Sequence, residues 1–190
     1  ITSRKISGCV TIAATAANIN PDPDVWPFAL IRGYEEMTSR LIRTSSGRTF
    51  AYAPFVDPSQ LVEFEEFAYD FYENSRLPEP FPDGTAVNSF GKGVWGVDPS
   101  SGTSDHHYHE LDGQTNYNAS NDMLVPVLHH SGGPHASLLL NVYYEETRGK
   151  LIDSIIECSK ARRTNNDINV ECGAITDILI LQGQRLAEEE

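Results

Sequence analysis

The chain has 190 residues, a hydrophobic fraction of 39% and a net charge of -13, which is enough length for one domain with a real core. Such acidity argues against nucleic acid as a partner, because phosphate binding needs clusters of Lys and Arg. No apolar run approaches the ~20 residues that cross a bilayer, and the absence of an initiating Met before Ile1 reads as a piece of a longer protein.

Residues 1–20 form the first element. Ile6, Cys9, Val10, Ile12, Ala13, Ala16 and Ala17 fall near one helical stripe, and the alanines favour a helix. Cys9 is read there as a small buried apolar residue. Asn20-Pro21-Asp22-Pro23-Asp24 ends the helix, and residues 21–190 form the domain proper. Val25 to Ile31 is a short apolar run that includes Trp26 and Pro27, with Arg32 just beyond it. A second helix covers Tyr34 to Ile42, and Thr44 to Arg48 is a turn.

Thr49 to Val56 has the alternation of a strand. Phe50, Tyr52 and Pro54 share one side; Ala51, Ala53 and Phe55 share the other. Pro54 lacks an N–H and marks a strand edge or end. Asp57 can cap the next helix, and Pro58 suits its first turn. Leu61, Phe64, Ala68 and Phe71 or Tyr72 form its buried stripe, and Glu63, Glu65, Glu66 and Asp70 its wet face.

Residues 77–121 form a long polar loop, of a length that inside a compact domain is usually functional or mobile. We read it as a lid, with a short strand at Val94-Trp95-Gly96-Val97. Leu124 to Leu128 and Leu138 to Val142 are strand-length apolar runs around the turn Ser131-Gly132-Gly133-Pro134, together a hairpin. A helix follows from Glu145 to about Arg162, with Ile152, Ile155 and Ile156 as its apolar stripe and basic residues near its C-terminal end. A last helix runs from about Val170 to Leu186.

Cys158 and Cys172 flank a polar segment. If the two thiols meet, closing that loop stabilises the fold by about 3 kcal/mol and implies an oxidising compartment. Two unrelated buried thiols are the alternative. Asn118-Ala119-Ser120 is a glycosylation acceptor sequence in a polar loop.

Asp105-His106-His107-Tyr108-His109-Glu110 packs five potential metal ligands into six residues. In an extended segment His107 and His109 point to one side and His106 to the other. A catalytic zinc needs three protein ligands and an open position. Helical His-x-x-x-His and Cys-x-x-Cys spacings are both missing, so hydrogen-bonded imidazoles in a polar loop are the plainer reading, and no metal ligand is assigned. A metal-dependent hydrolase using the His106–His109 loop stays as an alternative. Gly-x-Ser-x-Gly is missing, and Gly91-Lys92-Gly93 falls short of a phosphate loop. We assign no catalytic residue and no cofactor. For contact with a small ligand, the candidates are Trp26, Arg32, Tyr52, Trp95, His107, His109 and His129. Arg32 offers a planar fork for a carboxylate, although a surface ion pair is the commoner role of such an Arg; Trp26 and Trp95 read more readily as core than as ligand platforms.

Several ordered segments resemble the extracellular region of diatom-type receptor guanylate and adenylate cyclases. They are Trp26-Pro27-Phe28 with Arg32-Gly33, Tyr52-Ala53-Pro54-Phe55-Val56, Asp57-Pro58-Ser59-Gln60 with Phe64-Glu65, and Gly93-Val94-Trp95-Gly96. Leu124-Val125-Pro126-Val127, Gly133-Pro134-His135, Glu146-Thr147-Arg148-Gly149 with Ile152-Asp153, Glu157-Cys158-Ser159 and Glu171-Cys172-Gly173 with Thr176-Asp177 continue the match. It spans Trp26 to about Leu181, and each piece is short; their order and spacing carry the likeness.

The interleaved helices and strands suggest an α+β domain. A PAS- or Cache-like antiparallel sheet flanked by helices is the expected arrangement, with the long N-terminal helix leading in. The resemblance implies a sensor on the extracellular face of a plasma-membrane protein, with a cyclase domain elsewhere in the parent. The cyclase's catalytic residues have no counterpart here. An unidentified small molecule is then the expected ligand, and helix 1–20 the signalling element and a candidate homodimer contact. A structural extracellular interaction module is the third reading.

Overall fold

A computed structural model describes residues 2–45, 47–74, 93–96, 106–107, 123–131, 138–143 and 146–165. They form an α+β arrangement of four α-helices and four short strands among these residues. The expected lid falls mostly outside them. So do the last helix, the turn at 132–134, His109, Asn118 and Cys172.

Helix α1 covers Thr2–Ile19. Its buried positions are Gly8, Ile12 and Ala16, spaced by four and therefore on one face. Two expectations change here. Ile6 and Val10 stay 42% and 39% exposed, and Cys9 is an exposed free thiol rather than a buried one. The face is selected by what it meets. A Cβ at Gly8 would lie 2.8 Å from Cζ of Phe50, so the ring fits only against the missing side chain. Asn20 closes the helix, its backbone N–H donating to Ala16 O (3.0 Å) and its Nδ2 to the same oxygen (3.1 Å).

A 3-10 turn at Pro23–Val25 and a cis Trp26–Pro27 bond lead to helix α2, Tyr34–Ser45. The expected turn at Thr44 to Arg48 thus begins later than its polar residues suggest. Thr44 and Ser45 stay helical with their hydroxyls turned back on the helix, donating to the carbonyls of Arg40 (3.1 Å) and Leu41 (2.6 Å). Gly33, at φ 71°, makes the tight entry into α2.

Strand β1, Phe50–Tyr52, is shorter than the apolar alternation predicts. The alternation itself is present: Phe50, Pro54 and Val56 are buried, and Ala51 and Phe55 exposed. Pro54 has no N–H to give, so the regular ladder stops two residues before it. Asp57 accepts from Ser59 N at 2.8 Å and caps a 3-10 turn, Pro58–Gln60, that runs into helix α3, Leu61–Asn74. Leu61, Phe64, Ala68 and Tyr72 are buried at helical spacing, as the stripe predicts.

Glu65 departs from the expected wet face. Its Oε1 accepts the Val94 N–H at 2.7 Å, and the Tyr69 hydroxyl one turn later accepts from Gly93 N. Strand β2, Trp95–Gly96, continues from this latch and pairs antiparallel with β3, His106–His107.

Strand β4, His129–Ser131, pairs antiparallel with β1, with Phe50 opposite Ser131 and Tyr52 opposite His129. Ser131 therefore belongs to a strand, not to the turn expected there. A bridge between Val56 and Leu124 continues the pairing out of step by one residue, the signature of a bulge. In that gap the chain turns to other partners: Val127 N donates to Leu140 O (3.0 Å), Leu139 N to Val127 O (2.8 Å) and Val142 N to Val125 O (3.1 Å). The two apolar runs thus lie antiparallel, as expected. Trp95 bridges Leu140 in parallel, which an all-antiparallel sheet does not contain. Backbone pairing therefore links β1, the 124–131 segment, the 138–142 segment, β2 and β3 in that lateral order.

Asn141 explains why the second run never becomes a regular strand. It is buried, and its Oδ1 accepts from Val125 N (2.9 Å) and Tyr143 N (3.2 Å). Leu139, two residues before it, is held at φ 61°, a left-handed conformation that costs a leucine energy.

The main core gathers Val56, Phe64, Ala68, Val94, Trp95, Leu124, Leu128 and Leu139. A smaller one packs Ile12, Ala16, Ile31, Tyr34 and Phe50 between α1, α2 and β1. Helix α4, Glu146–Asn165, buries Ile152 and half-buries Ile155 and Ile156. A Cβ at its Gly149 would lie 3.0 Å from Tyr143 O, and Tyr143 Oη donates to Asp153 Oδ1 at 2.5 Å. Cys158 in α4 is disulfide-bonded.

Candidate functional site

The two cores meet at His129. Strand β4 places its imidazole inside a ring of aromatics. Tyr34 stacks on it (4.8 Å, 21° between planes), Phe71 meets it edge-on (5.0 Å, 70°) and Tyr52 is tilted against it (5.9 Å). Its Nε2 accepts the Ile31 N–H at 3.3 Å, so the neutral ring carries its proton on Nδ1. Burial pushes its pKa down to about 4, and the imidazole is uncharged at neutral pH.

Beside His129 opens a cavity of about 210 Å³. Three elements make it: the 30–35 turn entering α2, the Phe71-Tyr72 end of α3, and Leu128 to His130 with Leu138. Tyr72 Oη donates to Leu128 O at 2.9 Å, which ties α3 to the third wall. The walls are chiefly apolar and aromatic; Arg32 and Glu35 bring charge to the first of them. Arg32 is exposed and Glu35 half-buried. A second recess of about 400 Å³, bounded by Ile19, Asn20 and Phe28, shares Leu30 and Arg32 with the first.

Of the seven ligand candidates, Arg32 and His129 line one cavity. Tyr52 touches the His129 ring without lining that space, and Trp26 sits edge-on to Tyr52 (6.4 Å), its Nε1 donating to Asn20 O (3.3 Å). Trp95 is in the main core, 5% exposed, with Nε1 donating to Leu138 O at 2.9 Å; its side chain is a packing element. His107 contributes its backbone to β3, and His109 lies outside the described residues.

Sequence reasoning missed Tyr34, Glu35, Phe71 and Leu138 as cavity lining. The one available signal was Gly33, whose turn aims Arg32 and Tyr34 toward a common space. Tyr34 is buried, and its hydroxyl has no hydrogen-bond partner among the described residues. Burial, then the nearby Glu35 and Cys9, hold its pKa above the usual range. Cys9 is exposed as a residue, yet its sulfur is sheltered enough that desolvation raises the thiol's pKa.

No group of three or more His, Cys, Asp or Glu side chains suited to a metal ion occurs among the described residues. No helix among them is long and apolar enough to cross a membrane. Comparison of the chain with protein-family models, with curated proteins and with solved structures gives no match.

Proposed function

We propose that this chain is the ligand-sensing domain of a receptor-type nucleotide cyclase, on the extracellular face of the membrane, with a PAS- or Cache-like arrangement. The observation that carries the sensing role is the cavity beside His129. It is concave, chiefly apolar and aromatic, and has few polar groups, as small-molecule sites do. Its walls come from three elements, and one of them, α2, also contacts α1. A ligand that prefers one seating of these elements shifts the population toward it, and α1 carries the change outward. The bonded Cys158 supports an oxidising compartment.

The test is a thermal-shift screen of metabolites on the whole chain, repeated on Phe71→Ala. A molecule that binds only the folded state must raise the melting temperature. We expect at least one such molecule, with its effect reduced when the Phe71 wall is removed. A screen in which nothing raises the melting temperature refutes the sensing role. The reading frame containing this chain is expected to encode hydrophobic spans beside it and a cyclase domain beyond; a frame with neither refutes the cyclase assignment.

A further inference from the structure

We infer that the cavity beside His129 takes a small zwitterion with an apolar ring: an α-amino acid whose side chain enters and whose charged end stays at the 32–35 turn. The inference rests on the sensing role proposed above and names the class of ligand. The charges decide it. Arg32 and Glu35 stand three residues apart on the same wall of the cavity. They form no ion pair with each other or with any other described residue, whereas the neighbouring Arg40 and Glu36 do pair, at 2.5 Å. A guanidinium and a carboxylate on one wall, paired with no described residue, disfavour a simple anion as much as a simple cation. A ligand that offers a carboxylate to the first and an ammonium to the second satisfies both.

The remaining walls select the other end. Tyr34, Phe71 and the uncharged ring of His129 line the space with aromatic carbon, and Leu128 and Leu138 add aliphatic carbon. Size agrees. About 210 Å³ is many times what a single water needs and leaves room for a ring and a short stem. It is less than the ~300 Å³ at which drug-sized pockets begin. Arg32 is exposed and also borders the second recess, which puts it at the edge of the apolar space.

The experiment titrates the whole chain with L-phenylalanine and three probes that each lack one feature: 3-phenylpropionate, phenethylamine and glycine. Calorimetry reads affinity. Phenylalanine is expected to bind at least about tenfold more tightly than any of the three. Arg32→Ala should lower it to the level of phenethylamine, and Glu35→Gln to that of 3-phenylpropionate. Unchanged melting of both variants without ligand shows that they are folded. Equal binding of either singly charged probe overturns the zwitterion, and so does phenylalanine binding that both substitutions leave unaltered. Failure of phenylalanine to bind overturns it outright. The metabolite screen then separates the two levels: a different, Phe71-dependent hit removes only this ligand class, and no hit removes the sensing role with it.

Discussion

Replacing Glu65 by Gln should make the protein more stable at pH 8 than at pH 5 relative to the parent. Burial pushes the Glu65 carboxyl up to about 7, from 4.5 for an unperturbed glutamate, although the Val94 N–H pulls the other way. An acid with a raised folded pKa holds its proton more tightly in the fold. Its contribution is therefore complete below pH 4.5 and is lost as the pH rises through 7. At ~1.4 kcal/mol per pH unit the loss would approach about 3 kcal/mol; solvent access to this half-buried group reduces it to about 1–2 kcal/mol. The Gln amide oxygen can still accept the Val94 N–H, and the amide never ionises. Urea denaturation of both proteins at several values between pH 5 and pH 8 measures the difference. It should grow in favour of Glu65→Gln by about 1–2 kcal/mol across that range. A difference that stays constant refutes the latch as a desolvated carboxyl.

His129 titrates in the opposite sense. Its folded pKa of about 4, against 6.5 unperturbed, gives stability that is complete above pH 6.5 and lost as the pH falls toward 4. His129→Phe should flatten that acid limb in denaturation curves. At pH 7.5 it should also cost about 1–3 kcal/mol, because the buried Ile31 N–H loses its acceptor. Phe64→Ala empties the centre of the main core and should cost about 3–5 kcal/mol by chemical denaturation. Arg32→Ala, at an exposed position with no ion pair to a described residue, should change stability by no more than about 0.5 kcal/mol in the same assay. Metal analysis of the purified chain is expected to find no stoichiometric zinc; a full equivalent would favour the hydrolase alternative and its histidine loop.

The helices were the most legible part of the sequence. Asp57-Pro58 and the Leu61, Phe64, Ala68, Tyr72 spacing state a capped amphipathic helix in local terms, and α3 follows them. The strands were less so, because their boundaries depend on partners distant in sequence. Thr49 to Val56 alternates as a strand throughout, yet only three residues pair regularly once Pro54 and the bulge opposite it intervene. Ser131 sits in turn-forming composition and is nevertheless drawn into the ladder by Phe50. Glu65 could not be told from Glu63 or Glu66 by helical position, since what distinguishes it is a backbone segment almost thirty residues further on. The cavity was half legible. Arg32 and His129 stood out by chemistry; Tyr34, Glu35 and Phe71 are ordinary helical residues until the fold brings them together.

Among its described side chains, helix α1 is fastened by little hydrocarbon. Gly8 contributes no side chain to its seat, Ala16 a single methyl and Ile12 four carbons, so the buried hydrocarbon is worth only a few kcal/mol at about 0.8 kcal/mol per buried carbon group. In the signalling role proposed above, a helix held this lightly needs no large effector to shift it. A compound preferring one docking of α1 by ten- to a hundredfold supplies about 1.4–2.7 kcal/mol, the same scale as the clasp itself. In that role, enlarging the seat residues is expected to change the signalling response before it changes whether the domain folds.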